Sequence, residues 1–169
     1  MNKFHQQEVF EPALGKFADF ILVQVENLRS NNSKNALTLV YEIFSVRPEV
    51  KKVSESFINF SRVVLPAVLN RTLADKNFIA SLAKKGITTA AEQCPTYPVC
   101  NILLEGTRSK ALPLAEFSLQ SLSILVRCSD KSFFNDPSSD CLILTMCDII
   151  EGKKSRMVKN ATPVLLEFK

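Results

Sequence analysis

The stretch Val25-Glu26-Asn27-Leu28-Arg29-Ser30-Asn31-Asn32-Ser33-Lys34-Asn35-Ala36 decides how this chain folds. It closes one apolar helical stripe, turns through polar and basic residues, and opens a second helix at once. Upstream, Leu14, Phe17, Ala18, Ile21, Val25 and Leu28 recur at steps of three, four and seven. That spacing is one face of a helix starting near Glu11-Pro12, where the missing N–H of proline costs nothing. Downstream, Asn31, Asn32 and Ser33 are cap candidates, and Leu37, Val40, Tyr41 and Phe44 mark the next buried face. Arg47-Pro48 ends that helix, because a residue before proline avoids the helical region.

The same junction recurs at Arg71-Thr72-Leu73-Ala74-Asp75-Lys76-Asn77, at Gly106-Thr107-Arg108-Ser109-Lys110 and at Gly152-Lys153-Lys154-Ser155-Arg156. Each is followed by a small residue on the next helix: Ala36 after the first, then Ala83, Ala115 and Ala161. A degenerate period of roughly 30 to 47 residues with one helix pair per period predicts an all-α chain. The expected architecture is an α-solenoid of HEAT/armadillo-like helix pairs, about four repeats in one domain over residues 1–169. Stacked pairs line their internal turns along one edge. Arg29, Ser30, Lys34, Arg71, Lys76, Asn77, Arg108, Lys110, Lys153, Lys154 and Arg156 are then the candidate partner-binding residues, most of them cations on a single basic ridge. For any one of them the alternative is a side chain that merely solvates its turn.

Between these junctions the periodicity continues. Val53, Phe57, Phe60, Val64 and Leu65 give a stripe between about Glu49 and Leu73, with a kink expected at Pro66. Asp75 is a candidate N-cap for a helix carrying Phe78, Ile79, Leu82, Ile87 and Ala90, closed by Cys94-Pro95. A short helix over Val99–Glu105 leads to Gly106, and Leu114, Phe117, Leu119, Leu122 and Leu125 stripe the next. Ser129 to Asp140 is the most polar interruption, with Asn135-Asp136-Pro137-Ser138-Ser139 reading as a loop. Leu142–Ile150 and about Ser155–Phe168 form the last pair, with Gly152 as terminator between them. Adjacent Phe133 and Phe134 cannot both face one stripe, so one packs under the loop or lies at a contact surface.

Composition excludes several classes. A hydrophobic share of 46% against 22% charged residues is that of a folded globule, not a disordered chain. The net charge of +4 favours an acidic partner only where it is concentrated. No dense basic stretch interleaved with aromatics is present, so nucleic acid is not the expected partner. No apolar run reaches membrane-spanning length and the N-terminus lacks a signal-peptide core, so an intracellular, soluble protein is expected. Five cysteines without paired short spacing argue against a disulfide framework or a metal site, and read as free core thiols.

Catalytic chemistry is missing too. The sole histidine, His5, leaves neither a Cys–His pair nor a Ser–His–Asp triad with a base inside the folded repeats. Four scattered glycines build no phosphate-binding loop. Neither enzyme activity nor a cofactor is expected.

Two stretches resemble a known family. Val25-Glu26-Asn27-Leu28-Arg29-Ser30 followed by Lys34-Asn35-Ala36 is similar to a helix–turn–helix of the TOG domains, in the CLASP and crescerin branch. Leu65 to Ala83, with Asp75-Lys76-Asn77-Phe78-Ile79, looks like the next repeat of that branch, and the Gly106 and Gly152 turns resemble later ones. The resemblance covers about residues 10 to 168. It implies a tubulin-binding HEAT array with the intra-repeat turns on the acidic tubulin surface. Carried over, it places Arg29, Ser30, Lys76, Asn77, Arg108, Lys110 and Lys153 to Arg156 on that edge. It also implies a cytoplasmic, cytoskeletal location, including a cilium or axoneme. The chain departs from the family in having no Trp in its first turn and about four repeats where the family has about six. A second reading is a HEAT-type adaptor that docks a helix or peptide of a non-tubulin protein, with Phe133-Phe134 as its apolar patch.

Overall fold

The computed structural model describes residues 3–45, 54–134, 138–152 and 155–166. Among them there is no strand. The helices are α1 (Lys3–Val25), α2 (Ser30–Ser45), α3 (Glu55–Arg71), α4 (Asn77–Gln93), α5 (Tyr97–Thr107), α6 (Leu112–Cys128), α7 (Lys131–Phe134), α8 (Ser138–Glu151) and α9 (Ser155–Leu166). Apart from the single turn of α7 they fall into four consecutive pairs, the helical-repeat arrangement expected from the junctions. Two compact units divide within α4: Met1–Gly86 and Ile87–Lys169.

In the first unit α1 packs on both α2 and α3. Leu14, Ala18, Ile21 and Val25 of α1 are buried, as are Ala36, Leu37, Val40, Ile43 and Phe44 of α2. Phe44 meets Phe57 of α3 edge to face at 5.1 Å and Phe60 at 6.1 Å, which ties the end of α2 to the start of α3. Ser54 caps α3 there, its Oγ accepting from the Phe57 N–H at 3.3 Å. At the opposite ends Lys76 bonds Ser30, so α2 and α3 run antiparallel. Gly86 of α4 seats beside both, where a Cβ would lie 3.7 Å from a Val68 methyl and 3.9 Å from one of Val40. Lys85 of α4 lies 3.7 Å over the Tyr41 ring.

In the second unit α5 packs on α6 and α8, and α9 closes on α6 and α8. Leu103, Leu119, Leu122, Leu125, Leu142, Met146, Ala161 and Val164 form its core. The small residues Ala36, Ala83, Ala115 and Ala161 are all buried, which explains their place after each turn: a larger side chain would hold the paired helices apart.

Several local expectations change. Helix α1 starts at Lys3 and runs through Pro12, whose missing donor removes one intrahelical bond without ending the helix. Residues 131–134, within the polar interruption, form α7, with Asp130 Oδ1 accepting from the Phe133 N–H at 3.2 Å, and Ser138 and Ser139, expected in the loop, open α8. Phe133 is buried, stacked on Tyr97 with centroids 4.5 Å apart, and Tyr97 OH donates to the Phe133 carbonyl. Phe134 is half-buried and edge-on to Phe133, so the pair is not an exposed patch. Phe17, at 57% exposed, falls beyond the edge of the α1 stripe. Leu28 lies past the end of α1, where the helical period no longer applies, and is 95% exposed. Phe78, in the first turn of α4, is exposed as well, its neighbour Ile79 taking the buried place. The expected stops or stripes at Arg47-Pro48, Val53 and Phe168 lie outside the described residues.

Of the cysteines, Cys94 and Cys100 are core residues, whereas Cys128 and Cys141 are exposed and Cys147 is half-buried. Burial pushes the Cys94 thiol up to about 11 and the Cys100 thiol up to about 12, the latter aided by the neighbouring Cys141. At pH 8 both buried thiols therefore stay protonated and unreactive. A thiol reagent at that pH should modify Cys128 and Cys141 in the native protein and reach Cys94 and Cys100 only after denaturant is added, as peptide mapping would show.

Candidate functional site

The candidate edge is built from helix ends. At the first turn, the Asn27 side chain accepts from the Arg29 N–H at 2.8 Å, an Asx turn that reverses the chain after α1. The Arg29 carbonyl then takes the Ser33 N–H at 3.2 Å and starts α2. Ser33, expected as a cap for its own helix, points back instead: it is buried, and its Oγ donates to the Val25 carbonyl at 3.0 Å. One of the last carbonyls of α1 is satisfied from across the turn.

The second turn shows why the first is held so firmly. Arg71, the last residue of α3, donates Nε to the Val25 carbonyl at 2.8 Å and Nη2 to the Asn27 carbonyl at 3.1 Å. A cation at the negative end of α1 is favoured both by these bonds and by the helix dipole. Lys76, at the start of α4, reaches the Ser30 hydroxyl at the start of α2. The Lys76 carbonyl, not the Asp75 side chain, takes the first bonds of α4, from Ile79 at 2.9 Å and Ala80 at 3.1 Å. The first unit thus brings Arg29, Ser30, Arg71 and Lys76 together over two turns. Arg29, Lys34, Lys76 and Asn77 are exposed, Ser30 is partly exposed, and Arg71 is half-buried.

A buried threonine shapes two of the turns in the same way. Thr72 Oγ1 donates to the Leu69 carbonyl and Thr107 Oγ1 to the Leu104 carbonyl, each at 2.7 Å. The shared spacing Leu-x-x-Thr (Leu69–Thr72 and Leu104–Thr107) was available in the sequence as a second repeat marker. In the second unit the backbone then turns through Arg108 and Ser109, whose hydroxyl accepts from the Ala111 N–H at 3.1 Å. Arg108 and Lys110 are exposed, and Arg108 Nη2 lies 3.4 Å from Thr145 Oγ1 on α8. Arg156 falls in the first turn of α9, and Lys153 and Lys154 lie outside the described residues.

Two features of the edge had no sequence signal. Arg71 reads as one more basic turn residue, yet two of its guanidinium nitrogens donate to backbone carbonyls. Leu28, read as part of the first stripe, and Leu73, a residue of the second turn, stand exposed among the cations. With Ile79 they line a hollow of about 250 Å³ between the two turns, together with Arg71, Asp75 and Lys76. No group of three His, Cys, Asp or Glu among the described residues could hold a metal ion. No described helix is long and apolar enough to cross a membrane.

Neither a scan against protein-family models nor a search of the curated proteins returns a match to this chain.

Removing the Arg71 side chain should be costly, because two carbonyls lose a charged donor at once. Arg71→Ala is expected to lower stability by about 2 kcal/mol, and Arg71→Lys to recover only part of it, since an ammonium cannot present the same fork. Arg29→Ala, in the solvated part of the same turn, should stay within about 0.5 kcal/mol. Urea unfolding of the three variants measures the difference.

Proposed function

We propose that the chain is a non-enzymatic TOG-like module whose basic turns bind tubulin or the microtubule wall, without cofactor or metal. The observation that carries this reading is the joining of two basic turns in the first unit by Arg71 and Lys76. A pair of turns fixed to each other presents Arg29, Lys34 and Lys76 without the entropic cost of ordering them on binding. Arg108, Lys110, Lys153, Lys154 and Arg156 are the basic candidates of the second unit under this reading. The resemblance of Val25–Ala36 and Leu65–Ala83 to TOG repeats supplies the identity of the acidic partner. It also favours the cytoskeleton as location, the ciliary axoneme included.

A second reading is favoured by a different surface. Phe17, Phe20 and Val23 on α1 and Leu39 on α2 are exposed, and Phe20 and Leu39 flank a groove of about 280 Å³ floored by Ile21 and Ala36. Exposed Phe20 and Leu39 at the rim of this groove, which Gln24, Asn32 and Asn35 also line, offer a contact for a non-tubulin protein, the adaptor role.

Charge reversal separates the two. The variant Arg29→Glu, Arg108→Glu, Lys154→Glu should keep its helical signal and Tm but lose microtubule co-sedimentation, and wild-type binding should weaken as salt is raised. Phe20→Ser with Leu39→Ser should leave co-sedimentation unchanged. Wild-type protein that stays in the supernatant at low salt would remove the tubulin reading.

A further inference from the structure

The hollow between the first two turns combines features that a merely solvated surface does not need. Its apolar walls are Leu28, 95% exposed, and Leu73, 43% exposed, over Ile79. Its polar side carries two cations, Arg71 and Lys76, against one carboxylate, Asp75. Arg71 is half-buried, and its bonds run to backbone carbonyls through Nε and Nη2; Nη1 meets no acceptor among the described residues. Neither Arg71 nor Lys76 forms an ion pair within 4.0 Å with a carboxylate among the described residues. Two cations thus line the hollow without a carboxylate partner among the described residues, and a carboxylate is the group that pairs with them. Leucines standing in water beside it gain only if an apolar group covers them.

We infer that this hollow seats an acidic peptide segment in which a carboxylate stands next to an apolar side chain. The carboxylate faces Arg71 and Lys76, and the apolar side chain lies between Leu28 and Leu73. Charge complementarity selects this occupant over a basic or neutral helix, and the small concavity suits one side chain with its neighbour, not a long helix. The inference rests on the reading of the basic turns as a partner-binding edge, and names what that edge recognises. Asp75 on the same wall opposes the carboxylate, so it sets how acidic the segment must be.

The test is a titration of the full chain with a blocked peptide holding one glutamate beside one leucine, followed by backbone amide shifts. Amides of residues 27–33 and 73–79 should move and saturate. Replacing the glutamate by glutamine, or the leucine by alanine, should each weaken binding about tenfold. In the protein, Leu28→Ser should weaken binding similarly while leaving its salt dependence intact, whereas Lys76→Gln should flatten the salt dependence and Asp75→Asn should tighten binding. Leu28 is almost fully exposed, so an unchanged Tm is expected for its variant. Shifts scattered over other helices without saturation, or a glutamine peptide that binds as well, would overturn the inference. Microtubule binding run alongside keeps the two claims apart. Peptide failure with co-sedimentation intact removes the hollow alone, and failure of both removes the edge as well.

Discussion

The constraint on which the first unit depends is the need to satisfy the carbonyls at the end of α1. A helix leaves its last carbonyls without intrahelical partners, and here the Val25 carbonyl sits at the joint between pairs, away from free water. Two donors from different elements meet it: Ser33 from the following helix and Arg71 from the next pair. One oxygen therefore fixes both the entry angle of α2 and the stacking of α3 on α1. The apolar contacts of Leu14, Ala18, Ile21 and Val25 are non-directional and would tolerate some sliding, whereas these bonds set the register.

That arrangement explains why the surface differs from a plain scatter of lysines. A basic residue at a helix end either neutralises the carbonyls or projects into solvent, and in the first unit the two jobs are divided. Arg71 does the first, which leaves Arg29 and Lys34 for the second, while the exposed Lys76 ties its turn to the Ser30 hydroxyl. The apolar outer side of α1 is a separate matter. With Phe17, Phe20 and Val23 exposed and Leu14, Ala18 and Ile21 buried, apolar residues cover most of its circumference, as on helices buried on two sides.

How much of this was legible follows from the range of each interaction. The helix pairs were readable because periodicity and turn residues act over a few positions: the four junctions, the buried alanines after them and the stripes of α2, α3 and α6 all rest on local signals. The clamp was not, because Arg71 and Val25 are 46 residues apart and a basic turn residue looks alike whether it faces water or a carbonyl. Phe17 and Leu28 misled for a geometric reason: an ideal stripe carried one position too wide or one turn too far puts a side chain outside. The Phe133-Phe134 pair misled because a polar stretch hid a single capped helical turn. Arg29, Lys76, Arg108 and Lys110 were legible as turn residues, whereas Lys34, expected in the first turn, falls inside α2 and Arg71 ends α3, and the division of labour among them was not legible.

The placement of the aromatic hydroxyls has a spectroscopic consequence. The chain has two tyrosines and no tryptophan, and one tyrosine falls in each compact unit: Tyr41 under the Lys85 ammonium, Tyr97 stacked on Phe133. Intrinsic emission therefore comes from two chromophores in unlike settings with no indole to drain their energy. The Tyr41 phenol is further held toward ionisation by its Ser45 hydrogen bond and by Lys85. Silencing either ring with phenylalanine leaves a native optical probe confined to one half of the chain, so the melting of each half can be followed separately without an added label.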